Sequence, residues 1–408
     1  MNPNKRSHQY DIDGILRIDS AVALPELKFF KVAQVTCPDL VIEVSPVGGL
    51  RPRFRSALVA KGSGLLYQEH LGGLFANFHI EMGKPVHVKA GPLLALSPHV
   101  LYTNVVEPLL RFLLVKRGFM LLHAACIEIE GRSIMLSAQT DTGKTSTILS
   151  LLRRHGGTFY SDDMVVVSKE GTASRYPKPL TISAHTLRSV PQHRLAPVQR
   201  LSLAWQSRLH SRGGRATGKR MAQFNVPMMA LNAGVQMVIP PPKYMITELV
   251  DCEIGGRIPI KNVCLSERAR PTWVASVTQV DALPELQANT EDAYGFPPYA
   301  QLAPQIVLEG ERYDDLRLKE RAILSSALQA AQVTRLRVDD FSWPEMIRAR
   351  SDAPETVQAA EVKTMQNGSQ PPTPDRGPGP AWPRPASAWP RAPLSPEAAW
   401  QLSARKLS

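Results

Sequence analysis

Cysteine is scarce: Cys37, Cys126, Cys252 and Cys264 are the only four in a chain of 408 residues. They lie far apart and lack metal-ligand spacing, so neither a disulfide framework nor a thiolate metal site is expected. Cys126 falls in an apolar, strand-like run and reads as a small core residue. A reducing cytoplasm is the expected compartment. No apolar run reaches the roughly 18 residues needed to span a bilayer. The opening MNPNKRSHQYDIDG has neither an apolar centre nor a cleavage-site pattern, so no membrane span and no secretory signal are expected. No internal repeat is present, which removes solenoid and propeller architectures.

Acidic residues are missing from one long segment. Between Gly171 and Thr247 there is no Asp or Glu, while eleven Lys and Arg residues fall there, close to the whole excess of +12. Such a segment attracts anions: phosphates, an acidic peptide or nucleic acid. Interleaved aromatics are few, Trp205 and Phe224 among them, and no recognised nucleic-acid module is present, so nucleic acid is not the expected partner. Within it, RLHSRGGRATGKR (Arg208 to Arg220) reads as a mobile loop.

The chain divides into three parts on pattern. Residues 1–103 read as a β-rich N-terminal region. The run PDLVIEVSPVGG alternates through Leu40, Ile42 and Val44, and HIEMGKPVHVKAG reads as a hairpin turning at Gly83-Lys84. His79, His87 and His99 occur here without ligand spacing and read as ordinary strand or surface residues. Residues 104–350 read as a second domain, of the mixed α/β class, marked as nucleotide-binding by the glycine-lysine loop AQTDTGKT that it carries. It opens on VVEPLLRFLLVK, whose Leu109, Leu110, Leu113 and Leu114 have helical spacing. Further on, VQMVIPP and YMITELVDC read as strands, Ile258 to Leu265 as one buried strand, Glu291 to Ala303 as a loop, and Leu316 to Ala331 as a helix. From residue 351 the chain holds eleven of its 35 prolines and no apolar period, and reads as a disordered tail.

The chemistry concentrates in residues 121–167. A strand (Ala124 to Glu130), a turn and a second strand (Ser133 to Ser137) lead into AQTDTGKT, and a helix runs from Thr145 to about His155. The motif matches GxxxxGK[ST] except at its first position, Ala138. A tight loop opening a helix surrounds phosphates with backbone N–H groups and adds the positive end of the helix dipole. Ala138, Gln139, Thr140, Asp141, Thr142, Gly143, Lys144, Thr145 and Ser146 are therefore the candidate ATP-binding residues. Lys144 is expected on the β and γ phosphates and the Thr145 hydroxyl on Mg²⁺. Ala138 replaces a glycine, so that position must avoid left-handed backbone or carry strain. Gly156-Gly157 ends the helix. Beyond it, Asp162 and Asp163 lie between two short apolar runs, placed to supply a metal ligand and a proton acceptor.

Three pieces of this stretch, His123-Ala124-Ala125, AQTDTGKTS, and Gly156-Gly157 followed by Ser161-Asp162-Asp163, resemble the HPr kinase/phosphorylase family and its wider relatives, the ATP-dependent phosphoenolpyruvate carboxykinases. A weaker similarity, through IDGILRI, LPEL and PKPLTIS, extends over most of 7–345 and points to HPr kinase-like proteins, some of which modify peptides. The resemblance implies a P-loop core of mixed sheet flanked by helices, and Mg²⁺·ATP-dependent phosphorylation of a serine or other hydroxyl on a peptide, protein or metabolite. It implies His123 beside the active site and Asp162 and Asp163 as metal ligand and base, with the two roles unassigned. A homo-oligomer is a further implication. The later acidic and arginine signature of true HPr kinases has no match here, so HPr itself is not the expected acceptor. The competing readings are a small-molecule kinase and a catalytically inactive ATP-binding adaptor.

Overall fold

The computed structural model describes residues 7–48, 56–61, 64–139, 142–181, 227–238, 240, 243–294, 297–338, 344 and 346–347. Thr140 and Asp141, the Arg208 to Arg220 segment with most of the acid-free stretch, and the proline-rich tail lie outside the described residues.

The first sheet has eight strands: β1 (His8–Ile12), β2 (Leu16–Ser20), β3 (Lys31–Val32), β4 (Leu40–Val44), β5 (Ser56–Lys61), β6 (Gly64–Leu71), β7 (Leu74–Glu81) and β8 (Val86–Ala90). Their order is β3-β1-β2-β4-β8-β7-β6-β5. Period-two burial drives β1 and β2: Tyr10, Ile12, Leu16 and Ile18 point inward, and their neighbours are at least partly exposed. The expected hairpin is present, with Ile80 opposite Val88 across β7 and β8.

Three short helices follow, α1 (Pro92–Ala95), α2 (Pro98–Leu101) and, after a π turn at Tyr102–Val106, α3 (Glu107–Lys116). Next come β9 (Phe119–Leu122), β10 (Ala125–Ile129), β11 (Arg132–Ala138), α4 (Lys144–His155), β12 (Thr158–Ser161), β13 (Val165–Ser168), β14 (Thr172–Ser174), β15 (Leu180–Thr181), α5 (Met228–Val238), β16 (Lys243–Tyr244) and α6 (Ile246–Leu249). The last part holds β17 (Glu253–Ile254), β18 (Arg257–Pro259), β19 (Asn262–Arg268), β20 (Trp273–Val277), α7 (Gln279–Ala293), α8 (Pro297–Leu302), β21 (Val307–Leu308), β22 (Glu311–Arg312), α9 (Tyr313–Ala327) and β23 (Gln332–Val338). Two larger sheets result, β17-β12-β10-β11-β19-β23-β20 and an antiparallel β18-β14-β13-β9, together with the two-stranded pairs β15-β16 and β21-β22. The class is mixed α/β, with parallel β11, β19 and β23 at the middle of the second sheet.

Helix α4 buries Ile148, Leu149, Leu151 and Leu152 on Ala125, Ile127, Leu136 and Cys264 of that sheet. Each such side chain contributes about 1.5–3 kcal/mol when fully removed from water. A separate, larger core runs from Tyr10 to Val333 and joins the first sheet to α3, β9, β13 and α9. Gly157, at φ 121°, sits where a Cβ would meet the Glu128 carbonyl oxygen at 2.2 Å, so only glycine lets the chain drop from α4 onto β12 beside β10. Among the described residues no helix is long and apolar enough to cross a membrane.

Several expectations are corrected. The apolar run before Ile239 belongs to α5, and Ile246 to Leu249 is a helical turn rather than a strand. Ile258 to Leu265 is split between two sheets: Pro259 ends β18, and the chain enters the second sheet only at Asn262. The segment expected as a loop from Glu291 is the end of α7 and the start of α8, whose Pro297-Pro298 suits a first helical turn.

His99 also proves partnered. Its Nδ1 lies 2.5 Å from Oε1 of Glu26, which is 3% exposed and also receives the Lys243 ammonium. Burial pushes the Glu26 carboxyl up, but the His99 hydrogen bond and the Lys243 charge outweigh it and hold it at about 2, against an ordinary 4.5. A depressed carboxylate stabilises the fold above its unfolded pKa and loses that contribution as pH falls through the folded one. Urea unfolding should therefore lose on the order of 3 kcal/mol between pH 5 and pH 2 through this group. Glu26→Gln should flatten that dependence; an unchanged profile would count against it.

Candidate functional site

The site forms where β11 gives way to α4. Ala138 is 1% exposed and remains in the strand, in register with Ser266 of β19. It is not among the positive-φ residues, so the missing first glycine costs no strain. Gly143 does need left-handed backbone, at φ 108°, and caps α4 without a side-chain hydrogen bond. No acidic residue occupies the first turn of α4, and its amides are left to face an anion. The Thr142 hydroxyl donates to the Gln139 carbonyl and closes the loop on itself. Gln139 is exposed, and Ser146 is half-buried on the first turn.

Lys144 folds back over the loop. Its Nζ donates to the Ala138 carbonyl at 2.9 Å and lies 2.7 Å from His123 Nε2. His123 Nδ1 is 2.9 Å from the Asn289 carbonyl, which can only accept, so Nδ1 carries a hydrogen and donates it there, and Nε2 faces the ammonium. Nε2 is also 3.4 Å from Asp163 Oδ1. Thr145 Oγ1 donates to Asp162 Oδ2 at 3.3 Å. The expected residues His123, Lys144, Thr145, Asp162 and Asp163 thus meet in one cluster, although β12, which carries the carboxylates, is separated from β11 by β10.

The two carboxylates differ. Asp162 is 9% exposed, whereas the Asp163 side chain is 45% exposed. Burial, followed by the Asp163 charge, pushes Asp162 up to about 7, against the pull of Lys178, Lys144 and the Thr145 hydroxyl. For Asp163 desolvation acts upward too, but the Lys178 ammonium at 2.5 Å, His123 and Lys144 together hold it well below the usual carboxylate range. Paired acids whose environments drive their pKa values apart are suited to separate roles.

Sequence reasoning missed the supports. Lys178, one of the eleven basic residues, bridges Asp163 and Glu107, the latter at 2.9 Å. Asn289 Nδ2 donates to Ser137 Oγ at 3.2 Å, and that hydroxyl donates to the His123 carbonyl. Thr290 Oγ1 accepts from the His123 amide. No local signal marks Asn289 and Thr290, since folding alone brings α7 onto β9 and β11.

The donor set fits Mg²⁺ supplied with a nucleotide. Thr145 and Asp162 offer adjacent oxygens, and Mg²⁺ commonly takes one or two carboxylates plus substrate phosphates. Among the described residues there is no group of three His, Cys, Asp or Glu side chains able to hold a metal by themselves.

No protein-family model and no curated protein matches the chain. Among solved structures, the HPr(Ser) kinase/phosphatase from Coxiella burnetii is similar over 61% of this chain and 99% of its own, at 9% identity and a TM-score of 0.23. A likeness that low carries no argument about fold or activity.

Proposed function

We propose that the protein is an Mg²⁺·ATP-dependent kinase that transfers the γ-phosphoryl group to a hydroxyl, in the manner of the serine kinases its central motif resembles. The observation that carries this reading is the single cluster of Lys144, Thr145, Asp162, Asp163 and His123 at the N-terminus of α4. Lys144 and the loop residues Ala138 to Ser146 hold the phosphates. Thr145 and Asp162 would hold the metal, which would supply positive charge against the phosphates. Asp163 and His123 take the acceptor side, because the Asp163 carboxylate is the one open to solvent. Lys178 keeps that carboxylate ionised. In a loose phosphoryl transfer, orienting the hydroxyl matters more than a strong base. The acceptor is a serine or comparable hydroxyl on a peptide, protein or metabolite.

The test is phosphorylated product from Mg²⁺·ATP and serine-bearing peptides encoded near this gene. Asp163→Asn and Asp162→Asn should each lower transfer by about a hundredfold, with Asp163→Asn leaving nucleotide affinity near wild type. If both variants keep full function, the chain is a nucleotide-binding adaptor and not a kinase.

A further inference from the structure

Ser266 ends the parallel strand beside the loop. Along β19, Val263 and Leu265 enter the larger core while Cys264 enters the α4 core, so alternation turns Ser266 toward α4. It is 6% exposed, and its Oγ has no hydrogen-bond partner. Buried hydroxyls are nearly always paired, so one without a partner calls for an explanation.

That oxygen lines a hollow under the loop, with Leu136, Ala138, Thr142, Gly143, Lys144 and Thr147 as its other described walls. Among the described residues no carboxylate lines it. The Thr142 hydroxyl is committed to the Gln139 carbonyl and the Thr147 hydroxyl to the Gly143 carbonyl. Of the three described hydroxyls that line the hollow, Ser266 alone lacks an acceptor. An occupant rich in acceptor oxygens, facing an ammonium and the helix N-terminus, satisfies every one of these groups. Asp162 stands on the other flank, beyond β10, so metal and Ser266 approach from opposite sides.

We propose that Ser266 is a phosphate-binding residue, donating its hydroxyl to a non-bridging phosphate oxygen of the bound nucleotide. The assignment rests on the kinase reading above. Isothermal titration of the full chain with Mg²⁺·ATP, and separately with Mg²⁺ and inorganic tripolyphosphate, tests it. Ser266→Ala should weaken both ligands by about tenfold, and Ser266→Thr, which keeps the hydroxyl, should bind within about twofold of wild type. A contact to phosphate predicts parallel losses, since tripolyphosphate lacks the nucleoside. Unchanged affinity in Ser266→Ala, a loss confined to Mg²⁺·ATP, or a threonine variant as weak as alanine would each overturn it. Unchanged binding by Lys144→Ala would overturn the phosphate site itself, and Ser266 with it; unchanged binding by Ser266→Ala alone leaves the kinase reading standing.

Discussion

Lys144→Ala should weaken Mg²⁺·ATP binding by about a thousandfold or more. The ammonium stands at the first position of α4, whose first turn holds no acidic residue. It is held 2.9 Å from the Ala138 carbonyl and 2.7 Å from His123 Nε2, contacts that on the proposed reading would be exchanged for phosphate oxygens. Hydrogen bonds to charged groups contribute about 1.5–3 kcal/mol each, and two of them on adjacent phosphates come to about 4 kcal/mol, the thousandfold. Arginine should not rescue the loss, because its planar fork cannot replace a compact ammonium in a tight loop. The fold should survive, since α4 is held by its Leu and Ile face rather than by Lys144. Titration calorimetry, paired with a melting curve, reads both. Wild-type affinity in a folded variant would sink the loop assignment.

The stretch from β10 to β12 was legible because its signals are local. Alternation marks the strands, the helical spacing of Ile148, Leu149, Leu151 and Leu152 marks α4, and Gly156-Gly157 marks its end. The motif named Lys144 and Thr145, and the pair Asp162-Asp163 stood out between apolar runs. Illegible were the residues that hold them. Lys178 looked like one charge among eleven, and only its burial between Glu107 and Asp163 gives it a role. Ser266 falls just past the strand expected over Ile258 to Leu265, and its place shows only with β19 beside β11. α5 was misread as a strand because a short apolar run with Val and Ile has no period that separates the two states. α7 was misread in its last turn because aromatic and proline residues follow it, although Thr278 caps its start through Asp281.

Arg111→Leu should cost about 3 kcal/mol of unfolding free energy, at the lower end of what breaking a buried ion pair costs. Arg111 is completely buried in α3, and its guanidinium makes a fork with Glu320 of α9 at 2.7 and 2.8 Å. It also donates to Glu291 of α7 at 2.7 Å and to the Tyr299 hydroxyl of α8 at 2.8 Å, beneath the Tyr294 ring at 4.6 Å. Leucine removes the charge but leaves Glu320, 2% exposed, behind. The cost stays near the lower end because Arg317 still pairs with both Glu320 and Glu291. In Arg111→Leu/Glu320→Leu the abandoned carboxylate is gone and Arg317 is near enough to the surface to reach water. The double variant should therefore recover part of the loss, with a coupling of about 1–3 kcal/mol in a double-mutant cycle. The same anchor bears on chemistry, because Glu291 directly follows Asn289 and Thr290, the residues that seat His123. Arg111→Leu should thus lower phosphoryl transfer more than Mg²⁺·ATP affinity even where it remains folded. Strictly additive denaturant midpoints, or parallel losses of transfer and affinity, would separate the anchor from the site.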